Sequence, residues 1–120
     1  MTLLIVESNP ELASVWQRHI ARLGREVLVA HSQSEAIHML QCHGVALLLL
    51  DIELEDGSAF AVADYAAFRF PKVPVLFVTS SRFFSDGSIF AMAPNACAFL
   101  ASGTPPEDLA MMVEHYATRS

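Results

Sequence analysis

"VALLLLDIELEDGSAF", residues 45–60, decides the fold. Six apolar residues in a row, four of them leucine, stop at Asp51, and three more acids follow within five positions. A short apolar run without alternation marks a parallel strand covered on both faces. A carboxylate is costly to bury unless something pairs with it. Asp51 is therefore either a strand end facing solvent or a charge with a task.

Working outward, residues 2–6 (TLLIV), 26–30 (EVLVA), 74–79 (PVLFVT) and 96–101 (ACAFLA) have the same strand-like character. Segments of helical period lie between them. Asn9 caps a helix starting at Pro10, with Leu12, Val15, Trp16, His19, Ile20 and Leu23 on one face and Gly24 as the stop. Ser32 with Glu35 has capping-box spacing for a second helix, closed by Gly44. Ser58 starts a third, which Pro71 forbids to continue. Residues 84–92 form a weaker fourth, and Thr104 with Glu107 caps a last helix whose inward face is Leu109, Met112, Val113 and Tyr116. This is a strand–helix unit repeated five times. Right-handed crossovers then give an α/β, flavodoxin-like (βα)5 fold, a doubly wound open sheet of five parallel strands in the order 2-1-3-4-5.

The 120 residues suit one domain, 1–120, with no separate output domain expected. A net charge of −6, with six arginines and one lysine in no run, argues against a nucleic-acid surface. No stretch approaches the roughly 18–20 apolar residues that span a bilayer, and no signal peptide is evident. Cys42 and Cys97 are spaced as reduced thiols of a cytoplasmic protein. His38 and Cys42 share a helix face, but no third ligand accompanies them, which favours a surface role over a metal site.

Ligands of open α/β sheets sit beyond the carboxyl ends of the strands. Glu7 and Ser8 follow the first strand, Asp51 and Glu53 the third, Thr79 and Ser80 the fourth, and Ser102 and Gly103 the fifth. With strands one and three adjacent, Glu7 and Asp51 converge, repel, raise one another's pKa and call for a cation.

Taken together, "LLIVESNPEL", "LLLLDIELEDGSAF", "PVLFVTSSR" and "ACAFLASGTPPEDL" resemble, in order and at matching separations, the receiver domain of bacterial response regulators in two-component signalling. The resemblance covers essentially the whole chain. It implies phosphoryl transfer to Asp51 from a histidine kinase or phosphotransfer protein, with Mg2+ held by Glu7, Asp51 and Glu53 (the last through its carbonyl). Thr79 and Phe99 stand at the switch positions. Output passes to a downstream protein, and a homodimer is expected through residues 84–92, the fifth strand and the last helix. Phe83, Phe84, Ile89, Phe90 and Met92 give that segment more apolar surface than one buried face uses, and Met111 and His115 extend it.

Several positions depart from the family pattern. Ser8 replaces the second acid, Ser102 the lysine, Gly103 a proline, Glu55 a proline and Ala59 a glycine, while Asn95 takes the place of a turn glycine. Lys72 precedes the fourth strand, at the wrong end of the sheet, which leaves Arg82 as the local cation. These changes weaken the expected metal site and switch. They keep a phosphorylation-independent pseudo-receiver, an atypical protein-interaction module, in play beside a working receiver. A flavodoxin-like enzyme or small-ligand binder ranks last, since G-x-G-x-x-G, G-x-x-x-x-G-K-[ST], G-x-S-x-G and H-E-x-x-H are all absent. The expectation is a signalling module, not an enzyme.

Overall fold

A computed structural model describes residues 2–79, 96–101 and 103–118. Its strands are β1 (Thr2–Val6), β2 (Glu26–Ala30), β3 (Val45–Asp51), β4 (Val75–Thr79) and β5 (Ala96–Ala101). Its helices are α1 (Pro10–Ala21), α2 (Gln33–Cys42), α3 (Ala59–Arg69) and α4 (Pro106–Thr118). The strands form one parallel sheet in the order β2-β1-β3-β4-β5, as the apolar runs predicted.

Strand alternation sorts the core onto two faces. Leu3, Ile5, Leu47, Leu49, Leu76 and Val78 meet Ala13, Trp16 and Ile20 of α1 and Leu109 and Val113 of α4. Leu4, Val6, Leu48, Leu50 and Phe77 meet Ala36 and Leu40 of α2 and Val62, Ala63 and Ala66 of α3. Consecutive positions Leu3–Val6, Leu47–Leu50 and Val75–Val78 thus all lie in a core, which is why the run beginning at Val45 shows no alternation.

The helix ends follow their local chemistry. The Asn9 side chain accepts from the N–H groups of Glu11 and Leu12, with Pro10 at the first helical position. Ser32 accepts from Glu35 N–H, and the Glu35 carboxylate reaches back to the N–H of His31, one residue before the usual capping-box partner. Ser58 caps α3 through Ala61 N–H. Gly24 takes φ +83 just past α1.

Two expectations need correcting. Leu23 does not join the inward stripe of α1: the helix ends at Ala21 and Leu23 lies 43% exposed in the following turn. Thr104 does not cap the last helix: α4 begins at Pro106, and its first bond runs from Leu109 N–H to Pro105 C=O, 3.0 Å. Proline is stable at a first helical position because it has no N–H to satisfy there. The expected helix at 84–92, with Phe83, Phe84, Ile89, Phe90, Met92, Arg82, Asn95 and Ser102, lies outside the described residues.

Candidate functional site

Both acids are placed by strand register. Val6 pairs with Leu50 across β1 and β3, so one step further along the two parallel strands Glu7 comes beside Asp51. Glu7 is 3% exposed and Asp51 9%. Their carboxyl groups are close enough to act on one another's protonation. With Ser8, Asn9, Leu12, Glu53 and Glu55 they line an open cleft of about 290 Å³ at the carboxyl edge of the sheet. The convergence expected from the strand order is present.

The loop after β1 is short and is held both by its own Asn9 and by the end of β2. Glu7 N–H donates to Ala30 C=O, Asn9 N–H donates to the Glu7 carboxylate at 3.0 Å, and Asn9 then caps α1. The Nδ1 atom of His31 lies 3.0 Å from the Glu7 carbonyl. The loop after β3 is longer and is pinned along its length, beginning with Ile52 N–H, which donates to Val78 C=O at 2.9 Å. Glu53 N–H donates to Asp51 Oδ1 at 2.9 Å, and Glu55 N–H donates to Ser8 Oγ at 2.8 Å. Gln33 N–H donates to Asp56 C=O at 3.0 Å, and Ser58 N–H donates to Gln33 Oε1 at 2.8 Å.

Ser8 and Glu55, two positions that depart from the receiver pattern, are therefore bonded to one another. A proline at 55 has no N–H to offer, so the serine hydroxyl has a partner only because the proline is absent. This link joins the two walls of the cleft and was invisible in the sequence, where the residues are 47 apart.

Burial is the main reason the Glu7 carboxyl is pushed up to about 7. The nearby Asp51 carboxyl and the repulsion between the two acids add to the rise, while the N–H groups of Asn9 and Ser8 oppose it. A buried acid pair of this kind suits a hard divalent cation, which removes the repulsion that the proton otherwise relieves. Mg2+ takes about six oxygens and commonly one or two carboxylates plus waters, so Glu7, Asp51 and a backbone carbonyl fit it. Among the described residues no three His, Cys, Asp or Glu side chains converge as metal ligands. That agrees with Ser8 standing where a further acid was expected.

Thr79 ends β4 and is 1% exposed, but it is not part of the cleft lining. Phe99 pairs with Phe77 across β4 and β5, and their rings stack at 5.1 Å with 10° between planes. Phe60 of α3 also approaches Phe77, 6.0 Å between centroids and 35° between planes. Lys72 precedes β4, at the opposite edge of the sheet from Asp51, as expected. His38 and Cys42 touch on exposed α2, with Sγ 3.7 Å from Nε2. Sequence reasoning missed His31 and Gln33, which come from the β2–α2 connection and support both acid loops.

Comparison with known proteins agrees with this architecture. The response regulator receiver domain family matches residues 3–114. The chain is 30% identical over 115 residues to the response regulator protein PilR of Pseudomonas aeruginosa, covering 96% of this chain but 25% of PilR, so it spans about a quarter of that relative. The non-phosphorylated HemR receiver domain of Leptospira biflexa superposes with a TM-score of 0.88 at 20% identity, covering 99% of this chain and 95% of that one. A CheY-like receiver domain protein of Methanospirillum hungatei gives 0.87 at 21% identity, covering 98% and 93%. The response regulator TrrA of Thermotoga maritima, solved in complex with Mg2+ and BeF, gives 0.81 at 18% identity, covering 95% and 96%.

Proposed function

We propose, from the fact that this chain belongs to the response regulator receiver domain family, a module of phosphorelay signal transduction, that Asp51 is its phosphoacceptor. The observation that carries this is the buried Glu7–Asp51 carboxyl pair on adjoining strands, opening into the cleft. An Asp51 carboxylate oxygen attacks phosphorus, a P–O bond forms, the P–N bond of a phosphohistidine donor breaks, and the imidazole keeps the electron pair and takes up a proton. Mg2+ bound by Glu7, Asp51 and the Glu53 carbonyl would neutralise charge on the transferring oxygens. The Glu53 N–H fixes the orientation of Asp51 through Oδ1. Thr79 and Phe99 act as the switch pair, Phe99 moving against the Phe77 ring on which it is stacked.

The donor is a histidine kinase or phosphotransfer protein and the output a downstream protein, both in the cytoplasm. A homodimer through β5, α4 and residues 84–92 is part of the proposal. Met111, 70% exposed on α4, supports an interface there.

One observation favours a second reading, a pseudo-receiver that binds partners without a phosphorylation cycle. Ser8 supplies a hydroxyl already engaged by Glu55 in place of an acid, leaving the cation two carboxylates. Incubation with Mg2+ and acetyl phosphate, followed by intact mass, separates the two. One added phosphoryl group that vanishes in Asp51→Asn supports phosphoacceptance, and no gain at any Mg2+ concentration supports the pseudo-receiver.

A further inference from the structure

We propose that Gln33, the first residue of α2, is a positioning residue for the Asp51 site, holding the loop that carries Glu53 and so coupling α2 to the cleft. The inference rests on the reading of Asp51 as phosphoacceptor.

Gln33 clamps the loop from both its backbone and its side chain. Its N–H donates to Asp56 C=O at 3.0 Å, and its Oε1 accepts from Ser58 N–H at 2.8 Å. Between those two anchors Gly57 takes φ +97, a conformation that side chains other than glycine rarely adopt. A Cβ at position 57 would sit 2.4 Å from Gln33 Cβ and 2.6 Å from Gln33 Oε1. The glycine therefore lets the loop backbone lie directly against the glutamine. At its other end the same loop is fixed by Glu53 N–H to Asp51 and by Glu55 N–H to Ser8.

The position of Glu53 relative to Asp51 is thus set from both sides, and Gln33 supplies the distal side. Partners that orient metal ligands from outside the coordination shell commonly set metal affinity by about ten- to a hundredfold, and Gln33 acts on Glu53 one step further out, through Asp56 and Ser58. Residues 30–33 carry the effect further, because His31 Nδ1 approaches the Glu7 carbonyl and His31 N–H is held by Glu35. One short connection at the head of α2 therefore braces both acids. Displacement of α2 changes the site, and by linkage a change at the site biases α2.

The test uses the whole chain in three forms: wild type, Gln33→Met, which keeps length but loses the acceptor, and Gln33→Glu, which keeps an acceptor. Mg2+ affinity is measured by calorimetry, phosphoryl incorporation by intact mass with acetyl phosphate, and exchange of the Ser58 amide by NMR. The expected result is Mg2+ affinity and incorporation rate both about tenfold lower in Gln33→Met, with faster Ser58 exchange, and near wild-type values in Gln33→Glu. A merely structural role would lower the thermal midpoint without that split between the variants. Wild-type affinity and rate in Gln33→Met, or equal losses in both variants, would overturn the proposal. If wild type takes up no phosphoryl group, the phosphoacceptor reading fails. The clamp is then decided by Ser58 exchange and Mg2+ affinity, and unchanged values in Gln33→Met overturn it too.

Discussion

The two walls of the cleft are built differently. The β1–α1 wall is three residues long: Asn9 N–H donates to Glu7 and Asn9 caps the start of α1, while Ala30, His31 and Glu55 reach it from outside. The β3–α3 wall is seven residues long and is held largely from elsewhere, by Ser8, Gln33 and Val78, with a local bond from Glu53 to Asp51. A bond within one wall survives small shifts in packing because its partners move together. A bond from elsewhere transmits them.

The sharpest way to break the contrast is Gly57→Ala. Its positive φ and the approach to Gln33 should cost roughly 2–3 kcal/mol together, seen as a lower urea midpoint. Amide exchange should quicken in the loop and at the head of α2, and leave the Asn9-capped first turn of α1, residues 10–12, unchanged. Loss of protection confined to the loop would show that the remote anchors carry no load.

Next in size is the pair that joins the walls. With Glu7 raised from 4.5 to about 7, the folded state holds a proton that the unfolded chain has released over that interval. Stability from this group is full below about pH 4.5, falls as pH rises toward 7, and levels off above. After solvent screening the loss is about 1–2 kcal/mol. The difference between wild type and Glu7→Gln in thermal unfolding, followed from pH 4.5 to 8, should show that slope, with the variant the more stable at pH 8. A difference curve that is flat, or rises with pH, contradicts the buried pair.

Asn9→Ala removes the acceptor for two N–H groups and should cost about 1 kcal/mol. Its effect on exchange should stay within the first turn of α1. Ser8→Ala is the mildest, about 0.5 kcal/mol, because the freed Glu55 N–H can turn to water. It cuts the only direct bond described between the two loops, so Glu55 exchange should quicken while the cap at Asn9 stays protected.

The same division explains what could be read without coordinates. The strands and the caps at Asn9, Ser32 and Ser58 depend on neighbours within a few positions, and the strand order follows from the repeated strand–helix unit, so all were legible. The approach of Glu7 to Asp51 was legible because it follows from register alone once β1 and β3 are adjacent. Thr104 misled because two prolines in succession, Pro105 and Pro106, offer two places for a helix to begin. Leu23 continued the helical period past the residue where the backbone had already turned toward Gly24. The Ser8–Glu55 bond and the Gln33 clamp escaped because residues 47 and 25 positions apart, respectively, show no shared pattern along the chain.

The fork between Arg25 and Glu114, Nη2 to Oε1 2.6 Å and Nε to Oε2 3.0 Å, ties the turn before β2 to the last helix across 89 positions. That helix also brings Leu109 and Val113 to the face containing Trp16. During synthesis from the amino terminus, among the described residues the face under α2 and α3 lacks only its β5 contacts once residue 79 has emerged. The tryptophan side has α1 alone until residues 109–117 leave the ribosome. Nascent-chain exposure is therefore lopsided: one half of the sheet is sheltered early, and the indole is enclosed last.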